Sequence, residues 1–432
     1  MQNVQGRGAI ALIRGIGRWD FVALFINSIV GAGIFGLPSR VHALIGAYSI
    51  FAYLLCAALV LCIVFCFAEI GSRFATTGGP YLYATEAFGP QVGFQVGWLV
   101  WLARITAFAA LGNLLIDYLG YFLPQASQPA VRAMVISGLV GVLTLLNLLG
   151  VRQGAVVADI FTIGKIVPMT FFVVVGLFFI EPSNLRLPAQ VDHGSFSAAM
   201  LLLVFAFTGF EAAVIPAAEI HDPQRTVPFG AIVSMLVIAP LYILIQVVCT
   251  GTLPKLAASS RPLADAAAGF IGPVGGALMA ITALVSVTGT LNGIVLAAPR
   301  LLFAMAERRQ LPAALAAVHE RFRTPHVAII VTSLVILVVT LAGSFVTTVA
   351  IATLTRLIAF AVTCAAVPVM RRRGVEAPTF RVPGGTVTVA IALVLIAWLV
   401  LSSSMREAIS VAVAMGVGLA ILWSGSDRPV RK

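Results

Sequence analysis

Two short stretches of this sequence are built to leave backbone groups without helical partners. The first is Asn27-Ser28-Ile29-Val30-Gly31-Ala32-Gly33-Ile34-Phe35. Glycine weakens a helix by about 1 kcal/mol relative to alanine, so two glycines around one small residue permit local unwinding. Unwound backbone inside a bilayer is tolerated only where it faces protein or a cavity. The freed N–H groups of Ala32, Gly33 and Ile34 would open a second half-helix, and a helix N-terminus is a ready seat for a carboxylate. The competing reading is a small-residue packing face. The second stretch is Phe205-Ala206-Phe207-Thr208-Gly209-Phe210-Glu211. If it unwinds, carbonyls near Phe205, Ala206 and Thr208 become acceptors for an ammonium group, and Phe205 a bulky lid. An aromatic-rich helix packed in lipid would also explain the run. Glu211 argues against that, because a carboxylate at membrane depth is costly and rarely idle.

Three cations also stand inside apolar runs. Lys165 lies in Phe161-Thr162-Ile163-Gly164-Lys165-Ile166-Val167-Pro168. A mid-helix ammonium costs about 2.5–3.5 kcal/mol on insertion scales, so it is expected to face the interior. There it would act as a fixed cation in place of sodium, or as a proton carrier, unless it snorkels to an interface. Arg104 can reach a substrate carboxylate, or pair with Glu211 or Glu69. Arg356 sits near a helix middle, and the sequence offers no reason for it.

Other chemistries leave no trace. No GxxxxGK[ST], GxGxxG after a strand, HExxH or GxSxG pattern occurs. The histidines (His42, His193, His221, His319 and His326) fall near predicted ends or loops, without ligand spacing. The five cysteines lie in apolar runs and form no metal or disulfide pattern. No cofactor, metal or catalytic residue is expected.

The elements that would hold these residues follow from composition. Of 432 residues, 60% are hydrophobic and only 10% charged, against about 25% charged in a soluble domain. A spanning helix needs roughly 20 apolar residues. Twelve apolar segments are expected, near 19–46, 48–72, 92–122, 131–150, 155–180, 196–218, 227–252, 264–304, 326–343, 346–370, 385–403 and 406–424. The third and eighth exceed one crossing and would tilt or continue into water. The first residues lack a cleavable signal pattern, so the first span would serve as the insertion signal. With the N-terminus inside, Lys and Arg outnumber those of the outer loops about threefold, which places both termini in the cytoplasm. The net charge of +11 then reflects that bias rather than nucleic acid, since the charges lie in short clusters between apolar runs. The two broken segments, first and sixth, are five helices apart. That is the spacing of a five-plus-five inverted repeat (about 19–180 and 196–370), followed by two additional helices at about 385–424. The expected fold is a single all-α, polytopic transmembrane domain.

Several motifs in order resemble the amino acid–polyamine–organocation (APC) superfamily of transporters. They are Gly31 to Phe35; Phe67-Ala68-Glu69-Ile70-Gly71-Ser72-Arg73-Phe74 with Gly78-Gly79-Pro80-Tyr81-Leu82-Tyr83; Phe205 to Glu219 with Asp222-Pro223; and Ala298-Pro299-Arg300, Leu311-Pro312 and Thr324-Pro325. The resemblance implies that the Gly31-Ala32-Gly33 amides hold a substrate carboxylate and that Ile29, Phe205 and Thr208 flank its amino group. Ile34, Ala206 and Gly209 belong to the same two stretches. It implies that Asn292 and Ile294 line the pocket, that Lys165 occupies the sodium position of sodium-dependent members, and that Glu211 gates or couples. Ala32 departs from the serine of many members. Arg104 has no counterpart in the motif.

These readings lead to an expectation of secondary, sodium-independent amino acid transport across the plasma membrane, a bacterial inner membrane by the resemblance. It would work by alternating access, as proton symport or exchange, with lipids and protons as the other partners. A polyamine or organic-cation carrier is the alternative on the same fold, weakened by Arg104 and Lys165. An ion channel would need a repeated filter, and a membrane enzyme a nucleophile with its base; neither is visible. Which amino acid is carried and the oligomeric state stay open.

Overall fold

A computed structural model describes residues 16–74, 78–150, 155–214, 220–374 and 377–426. The basic residues Arg7 and Arg14, and the end of the Phe205–Glu219 motif, lie outside the described residues. The chain forms α1 (Arg18–Ile29), α2 (Ala32–Ile45), α3 (Ser49–Gly71), α4 (Gly79–Phe88), α5 (Pro90–Leu119), α6 (Pro129–Leu148), α7 (Ala155–Gly176) and α8 (His193–Phe207). It continues through α9 (Phe210–Ala213), α10 (Pro223–Thr252), α11 (Pro262–Ile271), α12 (Pro273–Glu307), α13 (His326–Ala342), α14 (Phe345–Arg372), α15 (Thr386–Leu401) and α16 (Met405–Ser426).

Nine helical stretches among the described residues are long and apolar enough to cross a membrane; α13 and α15 are shorter apolar helices. Burial grades from centre to rim. The apolar stretch of α5 is 89% buried, whereas that of α16 is 11% buried. Rim helices turn large apolar side chains outward, among them Met134, Val142 and Leu145 on α6 and Ile409 and Val413 on α16. An apolar face of that extent needs lipid rather than water. The protein is therefore an all-α, polytopic membrane protein.

The expected segment at 264–304 is two helices. α11 stops at Gly272 (φ +84°) and Pro273 opens α12. A positive φ suits glycine and ends one helix; proline at the first position starts the next. The same device joins α4 to α5 at Gly89 (φ +93°) and Pro90. In both places a ten-residue helix precedes a long one, of 30 residues in α5 and 35 in α12.

A buried cluster ties one end of the bundle. Glu69, at the end of α3, accepts from Arg73 Nη2 (3.2 Å), from Arg371 Nε at the end of α14 (2.8 Å) and from the Val382 amide (2.8 Å). Glu69 is thus spent on holding α3, α14 and the 377–385 segment together. It is not Arg104's partner, as one expectation had it.

Candidate functional site

Both interrupted helices occur where the glycines are. α1 ends at Ile29, Val30 caps it by donating to Ile26 O (2.8 Å), and helix resumes at Ala32. The carbonyls of Ile29 and Val30 then have no helical donor, and side chains take over. Tyr242 Oη lies 3.4 Å from Ile29 O, and Ser286 Oγ 3.4 Å from Val30 O. Lys165 Nζ donates to Val30 O at 3.0 Å and to Asn27 Oδ1 at 2.7 Å. The ammonium of α7 is buried and directed at the break. It does not snorkel.

α8 stops at Phe207, Thr208 is extended, Gly209 takes φ +116°, and α9 adds a single turn. The Phe205 carbonyl stays occupied, accepting from the Thr208 amide (3.3 Å) and Thr208 Oγ1 (2.9 Å). The expectation of a free Phe205 carbonyl does not hold, because the Thr208 side chain folds back on its own turn. Glu211 uses both oxygens. One accepts from the Gly209 amide (2.8 Å), the other from Arg356 Nε on α14 (3.0 Å). Arg356 Nη1 donates to Thr208 Oγ1 (3.0 Å), and its guanidinium lies 5.7 Å from the centre of the Phe205 ring.

The two breaks interlock. A Cβ placed on Gly33 would fall 2.3 Å from Ala206 Cα, and one on Gly209 would fall 2.0 Å from the Ser28 carbonyl oxygen. Each half-broken helix admits the other's backbone only because that position has no side chain.

Beside this crossing lies a cavity of about 500 Å3, within the size range of small-solute sites. It is bordered by Ile29, Gly31, Gly33, Phe205, Thr208 and Gly209 from the breaks, with Glu211 and Ile294. Arg104, Arg300 and Arg356 border it too. Four expected residues lie elsewhere. Ile34 is fully buried in the apolar core, and Ala206 packs on Gly33. Lys165 stands behind the break. Asn292 is off the wall because α12 faces the cavity with Gly289, Thr290, Gly293, Ile294, Leu296, Ala297 and Arg300, and at about 3.6 residues per turn Asn292 is turned about 120° from the middle of that arc. Ala32 supplies the first residue of α2.

Arg104 forms no pair with Glu211. Its Nε and Nη2 are buried and without a hydrogen-bond partner among the described residues. Arg356 has the place at Glu211 instead, 145 positions away in sequence. Sequence reasoning flagged both arginines and missed the pairing, as well as Asn27, Tyr242 and Ser286. Only the apolar surroundings of Arg356 hinted that it needed a partner.

A polytopic helical bundle with two interlocked helix breaks beside a solute-sized cavity is the architecture of a membrane transporter. The family model for amino acid permeases matches residues 16–422. The chain is 32% identical to the serine/threonine exchanger SteT of Bacillus subtilis over 329 residues, 74% of each chain. It is 27% identical to the branched-chain amino acid permease BcaP of the same organism over 445 residues, 96% of this chain and 94% of the other. It is 26% identical to the Bacillus subtilis methylthioribose transporter over 334 residues, 73% of this chain and 72% of the other. The chain belongs to the amino acid permease family.

Proposed function

We propose that this protein is a secondary transporter of amino acids in the plasma membrane, sodium-independent, working by exchange or proton symport with alternating access. The observation that carries the reading is the position of the α2 N-terminus. Gly31 and Gly33 border the cavity at the point where helix begins, so the first amides of α2 meet whatever enters. Those amides and the helix dipole favour a carboxylate. Glu211 and the Thr208 turn, which border the same cavity, are suited to an amino group, with Phe205 covering it.

Lys165 supports sodium independence. Its ammonium already bonds Val30 O and Asn27 Oδ1, the oxygens a cation would otherwise take. The paired helix–Gly–Pro–helix units before α5 and α12, with the breaks at α1/α2 and α8/α9, support the five-plus-five repeat. On that reading twelve crossings would leave both termini on one side, which the Lys/Arg bias makes the cytoplasmic side. The polyamine alternative fits poorly, since three guanidiniums and one carboxylate border the cavity.

The test is uptake into liposomes carrying the purified protein, with labelled amino acids under imposed sodium and proton gradients and with internal amino acid present or absent. Uptake of at least one amino acid, unaffected by sodium, is expected. Polyamine uptake without amino acid uptake would replace this reading.

A further inference from the structure

Charge in the cavity is not balanced. Arg356 is neutralised by Glu211 at 3.0 Å. The other Glu211 oxygen takes the Gly209 amide, and Arg104 makes no ion pair with this carboxylate among the described residues. Arg104 is only 4% exposed, borders the cavity, and leaves Nε and Nη2 without partners among the described residues. A buried guanidinium that makes no ion pair and leaves two nitrogens unbonded is costly and is kept where something arrives to bond it. Guanidinium suits a carboxylate best, because its planar fork can donate two parallel hydrogen bonds.

The wall beside Arg104 narrows the shape of the partner. Ala107 and Leu111 also border the cavity. They lie one and two turns further along α5, on the same face as Arg104. An apolar strip ending in a guanidinium fits a short methylene chain ending in an anion. The α2 amides and the Glu211–Thr208 side are taken by the α-carboxylate and amino group in the reading above, on which this inference rests. Arg104 is left for a third group.

We infer that the substrate is an amino acid with an anionic side chain, and that Arg104 is the residue selecting it. The acid is held by a charge-assisted bond that its amide cannot match.

Competition for uptake in proteoliposomes tests this with two matched pairs, glutamate against glutamine and aspartate against asparagine. At least one acid should compete about tenfold or more better than its own amide, a difference of about 1.4 kcal/mol. Arg104→Gln should erase that preference, with affinity for the amide changed less than about threefold, while Arg104→Lys should keep part of it. Amides competing as well as acids in the wild type would overturn the inference and leave amino acid transport standing. So would an acid preference that survives Arg104→Gln. If Arg104→Gln does not fold, the wild-type pairs and Arg104→Lys decide by the same criteria. Absence of competition by any amino acid, acidic or neutral, would overturn the amino acid reading and this inference with it.

Discussion

Arg356 on α14 donates to Glu211 at 3.0 Å, just beyond the break in the α8/α9 helix, with both side chains almost wholly buried. The pair holds the short turn after Gly209 in place, since Glu211 also accepts from the Gly209 amide. Removing one partner strands the other. Glu211→Gln and Arg356→Met should each lower stability by about 3–5 kcal/mol. The double variant should lose less than the sum, as expected for residues that interact directly. Thermal midpoints of the four proteins in detergent check this. Additive losses would show that the pair is not coupled.

Lys165 should be indispensable for transport. Its ammonium bonds the Val30 carbonyl and Asn27, and Lys165→Ala would strip that donor from Asn27 and leave Val30 O only the longer contact from Ser286 Oγ at 3.4 Å. The variant should insert and remain folded but lose most of its uptake. Replacing external sodium with choline should leave the wild-type rate unchanged. A severalfold fall in choline would mean that the lysine does not stand in for a cation.

The glycines of the two breaks should separate sharply. A Cβ on Gly31 would sit 3.5 Å from Thr290, an ordinary contact, whereas Gly33 and Gly209 press on backbone at 2.3 and 2.0 Å. Gly209 also has φ +116°, which costs a side-chain-bearing residue about 1–3 kcal/mol even before the clash. Gly31→Ala should retain fold and uptake, while Gly33→Ala and Gly209→Ala should melt several degrees lower. The comparison is made by melting in detergent. Equal melting of all three would remove the interlock from the account.

The same residues show how far the sequence could be read. The Gly31-Ala32-Gly33 and Thr208-Gly209 breaks were legible because glycine acts locally, through its own backbone freedom. Lys165 was legible because an ammonium has no cheap place in an apolar helix. The Glu211–Arg356 pair was not, since no spacing rule links positions 145 apart. Asn292 was placed on the cavity wall by resemblance, and helix phase turned it away. The split at Gly272-Pro273 was hidden inside a continuous apolar run, where hydrophobicity alone does not mark a helix end.

The α-carboxylate should be the strictest requirement of the cavity. Its reader is backbone: the amides that open α2 at Ala32, Gly33 and Ile34, reinforced by the positive end of that helix. No side chain need move for them to act, and none can be mutated away, so the test must change the ligand. An amino acid, its α-amide and the corresponding decarboxylated amine differ only at this group. A charge-assisted hydrogen bond is roughly twice as strong as a neutral one, so the amide should compete weakly. The amine should compete least, since it leaves the amides unpaired and brings its cation alone into a cavity bordered by three guanidiniums. Competition against labelled substrate in proteoliposomes ranks the three directly. An amine that competes as well as the acid would move recognition away from α2 and restore the organic-cation alternative.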